Sequence, residues 1–231
     1  MSSTKKLWVT SIGRKILMAV TGVFLILFLI GHMLGNLQIF AGPEPINRYA
    51  AFLQGLGELL WAVRLTLLLA LLVHVFFSIQ LTLENWNARP VSYQNFGTIQ
   101  ASLASRTMIY TGILVFGFIV LHILHYTMGK LQPEYFHMMD AKGRHDVYAM
   151  LIYGFQNPFY SILYIVLMIA LGFHLSHAIM SACETLGFNH PAYSACVNRI
   201  SLVAGWGIAC GYIIVPVSVL LGWLGMPAGG N

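Results

Sequence analysis

Histidine is the residue type in this sequence that most clearly suggests chemistry. Nine histidines occur in 231 residues, and six of them fall in long apolar stretches. Ionisable side chains are costly in the hydrocarbon of a membrane, and they usually face the interior of a helix bundle. One such histidine most often makes a hydrogen bond to a neighbouring helix, but six in a small protein indicate a site. The six are His32, His74, His122, His125, His174 and His177.

Two of these histidines lie far from the basic start of their helices. At a rise of 1.5 Å per residue, His32 lies about 27 Å beyond Arg14, and His122 lies about 24 Å beyond Arg106. Both distances approach the thickness of the hydrocarbon core of a bilayer, which is about 30 Å. We therefore predict that His32 and His122 form a pair near the far face of the membrane.

Two other histidines lie near the opposite face. His74 precedes Glu84 by ten residues, and His174 precedes Glu184 by the same number. Ten residues correspond to about 15 Å of helix, so both imidazoles lie at a similar depth below a polar helix end. We predict that His74 and His174 form a second pair, which gives two pairs at two depths.

Paired neutral imidazoles at matched depth suit the axial positions of heme iron. Two such ligands leave no vacancy for oxygen, and the resulting heme transfers electrons. Zinc or copper also accepts imidazole, but one histidine per helix at two depths does not gather three or four ligands at one point. Small residues beside the ligands, Gly31, Gly35 and Gly172, would let a flat macrocycle approach, or would serve helix packing alone.

His125 and His177 are alternative ligands. Each follows a proposed ligand by three residues, so it lies on nearly the same face of its helix. Either histidine could replace its neighbour, and spacing alone leaves the choice open.

The composition predicts an all-α membrane protein with one domain over residues 1–231. Hydrophobic residues make up 58% and charged residues 8% of the chain, against about 25% charged residues in soluble domains. The first apolar run is too long for the core of a signal peptide. The basic residues form no pattern typical of nucleic-acid binding, and the three cysteines have no metal or heme-attachment spacing. We predict five spans, four of them forming a heme-binding bundle, at about 13–36, 59–83, 106–129, 158–183 and 200–224.

The distribution of basic residues predicts the orientation. Lys5, Lys6, Arg14 and Lys15 precede or begin the first span, so the positive-inside rule places the N-terminus in the cytoplasm. An odd number of spans then places the C-terminus outside. In this orientation, His74 and His174 form the inner pair and His32 and His122 form the outer pair.

The order and spacing of these fragments resemble the five-helix, diheme cytochrome b558-type membrane anchor of succinate dehydrogenases and fumarate reductases. The resemblance covers nearly the whole chain. The segment from Phe173 to Gly187 is the most similar to the family. The other fragments that carry the resemblance are Gly31-His32, Leu72-Val73-His74 and Val120-Leu121-His122.

The resemblance implies two heme b groups, with His122 and His174 preferred over the histidines that follow them. It also implies menaquinone as the substrate and a bacterial cytoplasmic membrane as the location. A flavoprotein subunit and an iron–sulfur subunit would dock on the cytoplasmic face and hold the FAD and the iron–sulfur clusters. A higher oligomer stays open. Some members use a carboxylate within a helix for proton movement, but the middles of all five predicted spans lack one.

Charged residues at the helix ends are secondary candidates. Arg14, Lys15, Arg106 and Arg199 could bind the propionates of the inner heme, or they could serve only as topology determinants. Glu58, at the outer entry of the second span, could carry a proton to or from a quinone. Glu58 could equally be a solvated acid that stabilises the start of its helix.

Two other functions stay open. One is a stand-alone transmembrane oxidoreductase of the cytochrome b561 kind, and the other is a heme-free, proton-coupled transporter that uses histidines as a relay. The sequence has no identifiable GxGxxG segment for a dinucleotide and no cysteine clusters for iron–sulfur centres. We therefore expect no succinate or fumarate chemistry in this chain alone.

Overall fold

The computed structural model describes residues 10–88, 106–188 and 190–227. Within these ranges the chain is helical, and five helices are long and apolar enough to cross a membrane. The chain therefore has the character of a multi-pass membrane protein. These helices are α1 (Ser11–Leu37), α3 (Glu58–Asn87), α4 (Met108–His122), α7 (Pro158–Thr185) and α8 (Ser194–Leu220).

The five predicted spans are confirmed, with shifts at their ends. The largest shift is in α8, which begins at residue 194 rather than 200 and ends at 220 rather than 224. The helix of α4 continues into a π-helical turn over Ile123–Thr127, close to the predicted end at 129. Two of the basic residues that predict the orientation, Lys5 and Lys6, lie outside the described residues, as does the C-terminal Asn231.

Two of the long helices begin at side-chain caps that their sequences supply. The hydroxyl of Thr10 accepts a hydrogen bond from the Gly13 backbone N–H at 3.1 Å, ahead of α1. The side chain of Asn157 accepts one from the Phe159 N–H at 3.0 Å, ahead of α7. Pro158 then occupies the first turn of α7, where its fixed φ and missing N–H cost nothing.

Three shorter helices connect the spans at one end of the bundle: α2 (Pro43–Gly55), α5 (Pro133–Phe136) and α6 (Val147–Gln156). The run Gly42-Pro43-Glu44-Pro45 is rich in turn-forming residues and predicts a loop. This prediction is wrong beyond Gly42, because Pro43 begins α2. Gly42 makes the turn with φ +95°, which glycine adopts without a Cβ penalty. The ten residues of α6 are too few to cross a membrane, and the prediction of spans therefore missed this helix.

The helices α2 and α6, with the segment 137–146 between α5 and α6, form what we call the cap. The cap closes the end of the bundle at which α1 ends and α3 begins. A core of buried side chains joins it to α7 and α8, and Ile152 and Ile39 in this core are 0% exposed. The other buried members are Ile46, Tyr148, Leu151, Phe155, Tyr164, Val215 and Val219.

The long helices pack in close pairs. Helix α1 packs against α3, α4 packs against α7, and α7 packs against α8. A Cβ at Gly205 of α8 would stand 2.5 Å from the backbone nitrogen of Ser176 in α7, so only glycine permits this approach. The most apolar part of α3 is not buried by the chain. Lipid would cover this surface in a membrane.

Candidate functional site

The first histidine pair brings α1 and α4 together below the cap. The ring centroids of His32 and His122 lie 5.7 Å apart, and the ring planes cross at 84°. Phe28, one turn before His32, stacks on its imidazole at 5.4 Å. Phe118, one turn before His122, lies 5.7 Å from that ring, and Tyr212 of α8 lies 6.2 Å from His32. Aromatic rings therefore surround the His32–His122 pair.

Among the described residues, two buried polar atoms in this region have no hydrogen-bond partner: Nδ1 of His122 and the hydroxyl of Tyr126. The ring centroids of these two residues lie 5.8 Å apart. An unsatisfied buried polar atom costs about 1–3 kcal/mol, so a bound group that paired with these two atoms would stabilise the region. An imidazole nitrogen left without a partner is an atom that a metal could use.

His125 is held by hydrogen bonds through both ring nitrogens. Its Nδ1 lies 3.0 Å from the hydroxyl of Tyr164, and its Nε2 lies 2.6 Å from Oε1 of Gln132. The residue is 3% exposed. Neither nitrogen is free for a metal, and this geometry favours His122 over His125 as the ligand.

The second pair has a different environment. Nδ1 of His74 in α3 lies 3.0 Å from the carbonyl oxygen of Met18 and 3.4 Å from Oγ1 of Thr21, both in α1. A Cβ at Gly22 would stand 3.1 Å from Cε1 of His74. The imidazole therefore lies directly on the α1 backbone, and a polar group fixes one of its two nitrogens.

His174 in α7 contacts α4 in the same way. Its Nδ1 lies 3.4 Å from Oγ1 of Thr111, and its ring interacts with the Met108 backbone. A Cβ at Gly112 would stand 3.3 Å from Cε1 of His174. His74 and His174 are close enough to interact electrostatically. The structure thus places His32 beside His122, and it holds His74 and His174 each against the backbone of a neighbouring helix.

Of the two roles proposed for Gly31, Gly35 and Gly172, the contacts favour helix packing at two positions. Gly35 faces the ring of Tyr49, and Gly172 faces the ring of Trp206, so both serve helix packing. A Cβ at Gly31 would meet nothing within 4 Å. The glycines that contact the imidazoles, Gly22 and Gly112, were not predicted. A repeated Met-x-x-Thr-Gly pattern could have identified them.

The predicted charged candidates lie at both ends of the bundle. Arg14 is buried and forms an ion pair with Glu84, which joins α1 to α3. Its Nε is buried and has no hydrogen-bond partner in residues 10–88, 106–188 and 190–227. Three further basic candidates, Lys15, Arg106 and Arg199, are exposed. At the cap end, Glu58 is exposed in the first turn of α3, which is consistent with either interpretation.

His177 is the remaining alternative ligand. Its imidazole is partly buried, and it has no side-chain hydrogen bond within the described residues. Its one-turn neighbour His174 has the fixed Nδ1. The contacts favour His174 and leave the role of His177 open.

An ion-pair network holds the cap together on its polar side. Arg144 binds Glu44 of α2 at 2.7 Å and Asp140 at 2.6 Å, and Lys142 binds Glu44 at 3.0 Å. The hydrogen bond from Arg144, and then that from Lys142, lower the pKa of Glu44 from 4.5 to about 2. Beneath this network, the buried Asn47 donates to Oδ1 of Asp146 at 2.9 Å.

No group of three or more His, Cys, Asp or Glu side chains that could hold a metal ion occurs in residues 10–88, 106–188 and 190–227. Each predicted histidine pair therefore offers two side chains to a bound group. Comparison of the chain with protein-family models, with curated proteins and with solved structures finds no match. The geometry of the described residues is thus the basis for a functional proposal.

Proposed function

We propose that this chain is the diheme cytochrome b membrane anchor of a succinate:quinone oxidoreductase in a bacterial cytoplasmic membrane. The observation that carries the proposal is the contact between His32 and His122, with His74 and His174 each held against a neighbouring helix of the same bundle. His32 and His122 come from α1 and α4, and His74 and His174 come from α3 and α7. Two pairs at two levels of one bundle are what electron transfer between two hemes requires.

The histidine pairs fit a heme better than a bare metal ion. A zinc site needs three or four protein ligands, whereas each pair supplies two. A porphyrin brings four nitrogens of its own, and two imidazoles complete the coordination of its iron. The unpartnered Nδ1 of His122 and Nε of Arg14 are the buried polar atoms that a bound group with a metal and carboxylates could satisfy.

The chain's own residues would position these groups and limit the access of water. The Met18 carbonyl and Thr21 orient His74, and Thr111 orients His174. Phe28 and Phe118 line the other pair with apolar surface. When bound, heme would supply one-electron transfer, since bis-histidine ligation leaves no open position.

Quinone chemistry would take place at the cap end. Glu58 is an exposed carboxylate there and could exchange a proton with a quinone. A shallow groove of about 340 Å³ is lined by Gln38, Arg48 and Tyr49, among others. Amide, guanidinium and phenol groups can donate hydrogen bonds to quinone carbonyls. The flavoprotein and iron–sulfur subunits would bind at the opposite end, where Arg106 and Arg199 are exposed.

The proposal is tested by a reduced-minus-oxidised spectrum and heme quantification of the purified membrane protein. We expect two b hemes per chain and co-purification of two soluble subunits. Removal of the chain should leave succinate oxidation with an artificial dye intact and abolish quinone reduction. Absence of heme would favour the transporter, and two hemes without soluble partners would favour the stand-alone oxidoreductase.

Glu58→Gln tests the role of this carboxylate separately. We expect slower quinone turnover with both hemes and the dye activity unchanged, because glutamine cannot carry the proton. Glu134→Gln, an exposed acid at the start of α5 on the same end, is the control. Normal quinone turnover in Glu58→Gln would remove Glu58 from the site.

A further inference from the structure

Two parts of the chain repeat the same spaced residues. Helix α1 contains Met18-x-x-Thr21-Gly22, followed by Phe28 and His32. Helix α4 contains the same residues at the same spacing, ninety positions later. The second copy is Met108-x-x-Thr111-Gly112, then Phe118 and His122.

The helices that pack against these copies are also alike. In α3, Ala70-Leu71 precedes His74, and Glu84 follows ten residues later. In α7, the equivalent residues occur one hundred positions later, around His174. Because α1 packs on α3 and α4 packs on α7, the bundle contains two similar helix pairs with equivalent contacts.

The hydrogen-bond acceptors around His74 in the first copy determine which of its ring nitrogens carries the proton. The Met18 carbonyl can only accept, so Nδ1 of His74, at 3.0 Å, must be the donor. The hydroxyl of Thr21 lies 2.8 Å from the Leu17 carbonyl oxygen and 3.1 Å from the Met18 carbonyl oxygen. Its one proton is donated to these carbonyls. Its oxygen, 3.4 Å from Nδ1, is then a second acceptor for the same N–H.

The second copy gives the same result. The hydroxyl of Thr111 lies 3.1 Å from the carbonyls of both Thr107 and Met108, and its proton is used there. The oxygen of Thr111 therefore accepts from Nδ1 of His174 at 3.4 Å. With the proton on Nδ1, a neutral imidazole has its lone pair on Nε2.

The glycines explain why an imidazole can reach a helix backbone at all. A side chain at Gly22 or Gly112 would begin 3.1 or 3.3 Å from the histidine Cε1. That separation is tighter than ordinary van der Waals contact, which is about 3.5–4.0 Å. Glycine permits the contact, and threonine one residue earlier supplies the extra acceptor.

We propose that Thr21 and Thr111 are matched positioning residues, which, with the Met18 carbonyl in the first copy, hold His74 and His174 in the tautomer that presents Nε2 as the metal-binding atom. The nature of the metal group rests on the proposed function, but the tautomer does not. A fixed Nδ1–H···O contact orients the ring and makes Nε2 a stronger donor to a metal. The repeat thus builds one ligand site from two similar halves.

The test compares Thr21→Val and Thr111→Val, which remove the hydroxyl and keep the shape. Thr66→Val is the matched control, because the exposed Thr66 makes the same hydrogen bond to a carbonyl four residues earlier, at 2.8 Å, far from any histidine contact. In the heme-containing protein we expect each variant to raise the midpoint potential of one heme, and this should be the same heme in both variants. The shift should be below a tenfold change in the redox equilibrium, 59 mV for one electron.

Thr21→Ser should restore the native potential, since serine keeps the hydroxyl. Gly22→Ala should weaken retention of the same heme, and Gly117→Ala, an exposed glycine with open space around it, should not. Unchanged potentials in both valine variants, or shifts of different hemes, would overturn the assignment of these threonines.

If the purified chain carries no heme, the proposed function fails, and ¹⁵N NMR of labelled histidines decides the tautomers instead. Signals are assigned by their loss in His74→Gln and His174→Gln. We expect both imidazoles to be protonated at Nδ1, with increased Nε2 protonation in the valine variants. If His74 and His174 in the unsubstituted protein were protonated at Nε2, the inference would be wrong.

Discussion

The two histidine pairs are built on different physical principles. His74 and His174 each present Nδ1 to a threonine of the helix on which they pack. His32 and His122 lie among aromatic rings, and Nδ1 of His122 has no hydrogen bond to any part of the chain that the structure describes. One pair is therefore oriented by polar contacts with a helix backbone, and the other is oriented by the packing of flat side chains. A protein can hold the same ligand by either means.

The two histidine pairs also lie in different parts of the bundle. The pair oriented by threonines lies in the part of the bundle formed by the spanning helices alone. The aromatic pair lies below the cap, where Tyr164 connects the ring cluster to the buried core. Changes in the cap should therefore affect one pair and spare the other. This contrast gives the predictions below, from the largest expected effect to the smallest.

Loss of a ligand should have the largest effect. His74→Ala or His174→Ala should remove one heme and leave the other, and His32→Ala or His122→Ala should do the reverse. Heme quantification and the difference spectrum measure both outcomes. If His74→Ala left two bis-histidine hemes, the assigned pair would be wrong.

Truncation of the cap core should come next. Ile152 is 0% exposed, and Ile152→Ala should lower the free energy of unfolding of the cap region by about 2–5 kcal/mol. We expect greater solvent access at the His32–His122 pair, measured by hydrogen exchange of α6 amides and by the spectrum of that heme. Exposed Val203→Ala in α8 is the control. Equal changes at both hemes would contradict the separation of the two regions.

His125→Ala should have a smaller effect. The substitution leaves the buried hydroxyl of Tyr164 and the amide of Gln132 without their shared partner, at a cost of about 1–3 kcal/mol. Both hemes should remain, with a changed spectrum for the His32–His122 site only. His137→Ala, at an exposed histidine in the cap, should change neither heme. Loss of a heme in His125→Ala would move the ligand role from His122 to His125.

Acid should have the smallest effect, and it should act on the cap. The pKa of Glu44 is lowered from 4.5 to about 2 by Arg144 and then Lys142. The stabilisation from this carboxylate is therefore complete above pH 4.5 and is lost as the pH falls towards 2. Because Glu44 is exposed, we expect only a modest loss of α2 hydrogen-exchange protection in that window. Glu44→Gln should abolish the contribution from this group, and an unchanged pH dependence would exclude it.

Much of the fold could be predicted from sequence, because long apolar segments have few alternatives in a membrane. The spans and the depth pairing of histidines followed from hydropathy and helix rise, and the structure places His32 beside His122. The cap could not be found in this way. Helix α6 is short, and its burial depends on contacts with α2, which is about one hundred residues away in sequence. One such contact is the hydrogen bond that the Tyr148 N–H donates to Oδ1 of Asn47.

The contacts around the imidazoles were predictable only in part. Spacing could not decide between His122 and His125, because the choice depends on Gln132 and Tyr164, which approach from a loop and another helix. Gly22 and Gly112 were visible in the sequence as a repeat, but glycine is common in membrane helices. Their contact with an imidazole becomes evident only when the neighbouring helix is in place.

The π-helical turn at Ile123–Thr127 has a consequence for how this chain could change by mutation. In the turn, the Met128 N–H bonds the Ile123 carbonyl, five residues back, so one residue more than in an α-helix fills the turn. Deletion of a single codon there could restore the ordinary helical register and turn everything after it, including Gln132, relative to His122. Substitutions elsewhere in the long helices would change one side chain at a time. A single-codon deletion at this turn could therefore reorient the whole segment that leads from α4 into the cap.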